Sequence, residues 1–267
     1  MKLIHVGPAE RALFQPHLAA LDDHISYPLG NDRFRLDHGP SYYAFFDRLG
    51  KVSAYVMVDG EQLIGTGMAI LRRVPYVTGG KPRKTWYACD AKMHPDHRGR
   101  GLGMGAAGRH FLGHYLRCGH GYAISMNPAD GRDNGVVRHA QRFRRARIHV
   151  AGILCIFSVD AEAMTRLAPL VVRHRGPLSY LSLEGKKDLI LDSTQARLPL
   201  LHVQFGPCAE SGVSHPVSGH THMLCALETD ELTRDLATEG IEPSATATII
   251  AHRMDPCDWR FVLTSDI

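Results

Sequence analysis

The sequence predicts an α/β fold of the α+β kind, a mixed and partly antiparallel sheet flanked by helices, followed by a second, smaller α+β domain. Three observations predict it. Strand-like apolar segments and helix-period segments follow one another over about the first 160 residues. Asp59-Gly60 between two of the strand segments is a hairpin signal, which sets that pair antiparallel. Past Asp160 the pattern changes to short strand candidates around fewer helices. A chain of 267 residues has room for one large domain or two modest ones. The expected division is residues 1–160 and 161–267.

Leu3 to Val6 predicts a short strand, and Ala9 to Leu21 a helix whose apolar residues are Leu13, Leu18 and Leu21. Tyr42 to Leu49 predicts a second helix closed by Gly50. Val52 to Val58 and Leu63 to Leu71 are the hairpin strands, and Thr85 to Met93 is a third long strand. A glycine-dense segment then opens a helix that runs to about Cys118, ended by Gly119 and Gly121. Tyr122 to Met126 resumes as a strand, Asn134 to Arg142 as a helix, and His149 to Val159 as a strand. Beyond it, Ala161 to Val172 predicts a helix interrupted by Pro169. Leu189 to Leu191, Leu200 to Phe205, His222 to Leu227, Thr246 to Ala251 and Arg260 to Leu263 predict strands, with a helix capped near Thr229 and ending at Gly240.

At 44% hydrophobic and 22% charged residues the chain has the balance of a globular protein, which excludes wholesale disorder. The net charge of +4 is too small to point to nucleic acid or membrane by itself. The longest apolar stretch, Ala151 to Phe157, is far short of the roughly 20 residues a spanning helix needs. Gly7-Pro8 and Glu10 break the opening residues, leaving no secretory h-region, so a cytoplasmic location is expected. The six cysteines are scattered without a C-x-x-C and read as free thiols. His215, His220 and His222 lie in a segment containing Ser, Gly and Pro, without an i, i+4 pair, and read as a solvated loop; no metal is expected.

Chemistry concentrates in Lys92-Met93-His94-Pro95-Asp96-His97-Arg98-Gly99-Arg100-Gly101-Leu102-Gly103. A strand ends, a proline stops its ladder, and three glycines lead into a helix. Glycine lets a phosphate approach the backbone, successive N–H groups converge, and the helix dipole adds positive charge. Arg98 and Arg100 add two full charges. Glycines 105, 108 and 113 fall within the helix, where each costs about 1 kcal/mol against alanine. Close packing on the sheet, with Leu102, Ala106, Leu112 and Leu116 turned inward, is expected to offset it. Gly103-Met104-Gly105-Ala106-Ala107-Gly108 also fits G-x-G-x-x-G, but inside a helix rather than in the tight turn after a strand. No acidic residue for a ribose ends Tyr122 to Met126, so a dinucleotide fold is set aside.

Met93 to Gly103 resembles the acetyl-CoA signature of the GNAT N-acetyltransferases, a V-x-P-x-x-R-G-x-G-like run closing the fourth strand, with Met93 in place of valine. The resemblance covers about residues 1–160. It implies a GNAT-like acetyl-CoA-binding domain in which the amides from Arg98 through Gly99, Arg100, Gly101 and Leu102 to Gly103 hold the pyrophosphate. It also implies that the Met93 main chain pairs with the pantetheine arm, and that a bulge splays Thr85–Met93 from Tyr122–Asn127. Asn134 matches an asparagine that often contacts the cofactor in that family. The tyrosine that many members carry seven residues further on, as acid for the leaving thiolate, is Gln141 here; His139 or water are the substitutes. Tyr87 and Cys89 match a face on which some members carry a basic residue, and Asp90 an acidic position near the cofactor-binding end. Tyr87 and Asp90 are the catalytic candidates; as structural residues they would be a core aromatic and an ion-pair partner.

The implied activity is acetyl transfer from acetyl-CoA to a primary amine of a small molecule or peptide in a ternary complex. The alternative is a non-catalytic CoA-binding or regulatory module. Arg138, Arg142, Arg144, Arg145 and Arg147 raise a nucleic-acid-binding competitor, but only Phe143 is interleaved and the run sits at a helix end, so nucleic acid is not expected as a partner. A homodimer is kept open. The second part has no R-x-x-G-x-G, so one cofactor site per chain is expected, with residues 161–267 as a degenerate second copy of the fold or a lid on the acceptor pocket.

Overall fold

The computed structural model describes residues 1–77, 80–99, 113–130, 132–142, 147–209 and 212–267. The chain opens with β1 (Lys2–Val6) and α1 (Arg11–Asp22). A hairpin that the sequence pattern did not announce follows, β2 (Tyr27–Leu29) and β3 (Asp32–Asp37), then α2 (Ala44–Leu49). Next come β4 (Lys51–Asp59), β5 (Gln62–Val74) and β6 (Arg83–Met93). The β4–β5 turn is Gly60-Glu61, one residue beyond the expected dipeptide, since Asp59 still pairs with Gln62. Residues 113–117 are helical (α3), followed by β7 (Gly121–Met126), α4 (Gly135–Ala140) and β8 (Ile148–Val159). The remainder is α5 (Ala161–Arg175), β9 (Leu178–Leu181), β10 (Asp188–Leu191), β11 (Arg197–Leu198), β12 (Leu200–Phe205), β13 (Thr221–Leu227), α6 (Glu231–Thr238) and β14 (Ala245–His252).

The apolar stripe of α1 is Phe14, Leu18 and Leu21, whereas Leu13 is 71% exposed. α5 runs through Pro169 instead of breaking there. Met164, Leu167 and Val171 are all buried, and that stripe offsets the roughly 3 kcal/mol cost of an internal proline. Asp160 caps its start by accepting from the Ala163 N–H at 2.8 Å. The cap of α6 is Asp230, one residue past Thr229. Arg260 to Leu263 forms no strand: Asp258 accepts from the Arg260 N–H, and a 3-10 turn at Trp259–Phe261 follows. His222 lies in β13, fully buried against Tyr180, and not in a solvated loop.

Ten strands form one sheet in the order β1-β4-β5-β6-β7-β14-β8-β13-β12-β9, and β11-β10-β3-β2 form a second. The division expected near residue 160 does not break the large sheet. β14, from the end of the chain, lies between β7 and β8 and pairs antiparallel with both. The buried residues Ala247, Ile249 and Ala251 make this late strand part of the first half's core. The small sheet joins the halves again through β3 and β10.

Two parallel pairs interrupt the antiparallel order, and they behave alike. β6 and β7 pair at Trp86↔Gly121, Tyr87↔Tyr122 and Ala88↔Ala123 and then part. β12 and β13 pair at Leu200↔Thr221, Leu201↔His222 and His202↔Met223 and then part. The second parting is bridged by the segment after β14. Thr264 donates to the Met223 carbonyl at 3.0 Å and meets His202 Nδ1 at 3.0 Å, and Gln204 donates to the Ser265 hydroxyl at 3.0 Å.

Burial, with Lys187 and Arg48 nearby, lowers the pKa of His202 from 6.5 to about 3. The unfolded chain therefore takes up this proton below pH 6.5 while the folded chain does not, so stability falls as the pH falls through that window. Between pH 6 and 4, urea unfolding of His202→Gln should lose about 1.4 kcal/mol less per pH unit than the wild type. Parallel slopes for the two proteins would refute it.

Candidate functional site

The bulge that parts β6 from β7 is local and identifiable. Thr66 pairs with Lys92 and Met68 with Cys89, so on β6 both Asp90 and Ala91 stand opposite Gly67 alone. Asp90 carries the turn in the left-handed region at φ 54°, one of the few residue types that tolerates it. On its far side β7 remains paired with β14 through Met126. Among the described residues no strand pairs with Ile124–Met126 on the β6 side. A slot opens there, along an edge of β7 that no described strand takes up.

The extra residue also reverses which side chains of β6 face inward. Before the bulge Thr85 and Tyr87 are buried; after it Lys92 is. The Lys92 ammonium lies 2.5 Å from Asp22 Oδ1 on α1 and 2.8 Å from Asp90 Oδ1, with side-chain exposures of only 2%, 7% and 4%. The Tyr42 hydroxyl donates to Asp90 Oδ2 at 2.7 Å and accepts from Lys92 at 3.2 Å. Burial pulls the Lys92 pKa down, but the carboxylates of Asp90 and then Asp22 more than reverse this, and it ends above the usual lysine range. Burial raises Asp22 to about 6, with Lys92 opposing. Burial also lowers the neighbouring Lys187 to about 8.

Asp90, the acidic candidate, is thus brought to the mouth of the slot in a buried charge cluster. Tyr87 is placed elsewhere: it stacks on Tyr122 at 4.7 Å and is 2% exposed, with Arg72 bonded to the Tyr122 hydroxyl. Burial raises its hydroxyl pKa well above 10. Cys89 lies beside the cluster, its thiol likewise raised by burial.

Past the slot, Pro95–His97 forms a 3-10 turn in which the Arg98 N–H donates to the Pro95 carbonyl at 3.1 Å. Arg98 Nε donates to the Met93 carbonyl at 3.1 Å, tying the loop to the strand end. Gly99 follows at φ 76°, where an L side chain is strained. Arg100, Gly101, Leu102 and Gly103 lie outside the described residues. So do residues 143–146 of the basic run.

α3 docks through His114, whose carbonyl accepts from the Trp86 indole at 2.8 Å and whose Nε2 meets the Tyr55 hydroxyl at 2.8 Å. Leu116, expected to face inward, is 78% exposed, because two residues along a helix is about 200° around it. Among the described residues, a Cβ on Gly113 would meet nothing within 4 Å.

Asn134 is the N-cap of α4. Its Oδ1 accepts from Val136 and Val137, and its Nδ2 donates to the Met126 carbonyl at 3.1 Å and to Asn127 Oδ1 at 3.0 Å. It therefore fixes the end of β7 at the slot's rim. Gln141 is the C-cap of the same helix.

Sequence pattern missed four members of this site, among them Tyr42, which it gave only as the start of a helix. Asp22 falls four residues after Leu18, on the buried stripe of α1, and a charge on such a stripe is the signal for it. Lys92 was hidden because period two, carried across the bulge, puts it outward. His38 gave no signal. It packs on Tyr42 at 4.2 Å, and Gly39 beside it closes on the Gly185 carbonyl so tightly that a Cβ would lie 2.5 Å from the oxygen. Among the described residues, no group of three or more His, Cys, Asp or Glu is placed to hold a metal. Nor is any helix among them long and apolar enough to cross a membrane.

A strand order in which a parallel β6–β7 pair parts at a bulge, beside a Pro-Asp-His-Arg-Gly loop, is the arrangement of the GNAT fold. A solved structure shares the fold. A tandem GNAT protein from the clavulanic acid biosynthesis pathway superposes with a TM-score of 0.53 at 14% identity, covering 96% of this chain and all of its own. A GCN5-related N-acetyltransferase from Anabaena variabilis covers 95% of this chain and 73% of its own at 12% identity, with a TM-score of 0.47. By sequence, the chain is 21% identical over 231 residues to an uncharacterized protein of Acanthamoeba polyphaga mimivirus, covering 85% of this chain and 68% of that one. No family model matches the chain.

Proposed function

We propose that the chain is an N-acetyltransferase that binds acetyl-CoA in the slot between β6 and β7 and transfers its acetyl group to a primary amine. The observation that carries this is the parting of the two parallel strands at the Asp90 bulge, directly before the Arg98-Gly99 loop. The free edge of β7 and the strand-end main chain near Met93 suit an extended amide-bearing arm, which can add to a sheet as another strand does. The amides from Gly99 to Gly103, with Arg98 and Arg100 beside them, suit a diphosphate.

The thioester supplies an already activated carbonyl. Nitrogen–carbon bond formation is matched by carbon–sulfur cleavage, the sulfur leaves as the CoA thiol, and the ammonium proton is given up before attack. Holding the two reactants in place contributes about 7–11 kcal/mol, more than the roughly 3–5 of a general base, so positioning by the slot and cluster is the dominant effect. Asp90, at the slot with its carboxylate fixed by Lys92 and Tyr42, is the chain's candidate for receiving or relaying that proton. Tyr87, sealed against Tyr122, is assigned to the core.

The C-terminal residues 161–267 are taken as a degenerate second copy of the fold. The parallel β12–β13 pair supports this, and its parting is occupied by Thr264 and Ser265, which supports one cofactor per chain. Titration calorimetry with acetyl-CoA should give a stoichiometry of one. Free thiol should then appear when small primary amines are added. Bound acetyl-CoA that persists across a panel of amino acids, polyamines and peptide N-termini would favour a binding module without catalysis. Two sites per chain would overturn the assignment of the second parting.

A further inference from the structure

We propose that the cavity between α1 and β3 is the acceptor subsite, built for a small primary alkylammonium whose head group lies between Asp22 and His38; this rests on the acetyl-transfer reading above. The cavity has a volume of about 270 Å³, and its walls include Gln15 and Ala19 of α1, Asp22, Asp37 of β3, His38 and Tyr42. It backs onto the strand bulge through two of its own wall residues. Tyr42, on the cavity wall, donates to Asp90 at the strand bulge, and Asp22, also on the wall, holds Lys92 from behind.

His38 is the observation that points to a ligand. It is only 5% exposed, yet among the described residues neither ring nitrogen has a hydrogen-bond partner. Its Nε2 lies 3.4 Å from Asp22 Oδ2 without hydrogen-bond geometry. A buried polar group without a partner is costly, and native proteins rarely leave one so. What the pair lacks is a donor shared between a carboxylate oxygen and an imidazole nitrogen. An ammonium brings three N–H donors and a positive charge, which meets both. A hydroxyl brings one donor and no charge, and a carboxylate would meet Asp22 with like charge. Burial, with Lys92 and Lys187 nearby, lowers the His38 pKa well below its ordinary value, so the ring is neutral and keeps a lone pair for such a donor.

Size narrows the class. At about 270 Å³, near the lower end for small-molecule pockets of roughly 300 Å³ and up, this one suits an amine on a short alkyl chain.

The test uses n-butylammonium as the probe and follows the His38 imidazole Cε1–H signal, assigned by its loss in His38→Gln. The expected result is a saturable shift that n-butanol at equal concentration does not produce. Ala19→Phe, at an exposed helix position on the cavity wall, should weaken that response at least tenfold and raise KM for the amine by a similar factor, with acetyl-CoA affinity unchanged. If n-butylamine releases thiol from acetyl-CoA but Ala19→Phe and His38→Gln leave its KM unmoved, the acceptor binds elsewhere: the subsite is overturned and acetyl transfer stands. If the protein does not bind acetyl-CoA, acetyl transfer falls; a saturable His38 shift would then still support an amine site, and its absence would overturn that as well.

Discussion

Replacing Gly101 by tryptophan is expected to weaken acetyl-CoA binding at least a hundredfold, about 2.7 kcal/mol, while leaving resistance to urea within about 0.5 kcal/mol of wild type. The expectation comes from how a diphosphate is held. Its oxygens must come within hydrogen-bond distance of several consecutive N–H groups, and only a backbone without side chains in the way permits it. An indole in the middle of Arg98-Gly99-Arg100-Gly101-Leu102-Gly103 occupies that space. Titration calorimetry reads the affinity, and a urea curve run beside it shows whether the variant is folded. A folded Gly101→Trp protein that binds acetyl-CoA as wild type does would remove the phosphate cradle, and the acetyl-transfer proposal with it.

Replacing Lys92 by methionine is expected to cost about 3–5 kcal/mol of stability at pH 7. Methionine fills much of the same volume, so the loss reports charge and not a cavity. Lys92 is the counter-ion that Asp22 and Asp90 both touch, at 2.5 Å and 2.8 Å, and without it two buried carboxylates face each other. One of them then takes up a proton, so the deficit relative to wild type should shrink as the pH is lowered from 7 to 5. Asp22→Asn combined with Lys92→Met should recover part of the loss, because the remaining Asp90 keeps its hydrogen bond from Tyr42. A cost under about 1 kcal/mol at pH 7 for Lys92→Met, or a double variant no more stable than the single one, would mean that the cluster is not held together by this charge balance.

The slot and the charge cluster were not equally open to sequence reading. One wall of the slot and the loop beyond it are neighbours in the chain: a strand end, Pro95, and the Arg-Gly run that follows, with Asp90 three residues before Met93; the other wall, β7, begins only at Gly121. The cluster joins residues 70 apart, Asp22 to Lys92, and 48 apart, Tyr42 to Asp90. A strand lysine looks like a surface residue when taken alone, and an aspartate on a helix's apolar stripe does not name its partner; only their mutual pairing makes burial tolerable.

Sequence by itself determined the long strands β4, β5, β6 and β8, the helix α1, the start of α5, and the order that places a glycine-rich loop after a strand, because each depends on periodicity or turn chemistry within a few residues. The tertiary structure alone decided that β14 completes the sheet between β7 and β8, that β3 pairs with β10, and that Thr264 and Ser265 bridge the second parting. Those pairings rest on backbone hydrogen bonds and buried contacts between segments far apart in the chain. Backbone groups are the same at every residue, so no local pattern says which distant strand will meet them.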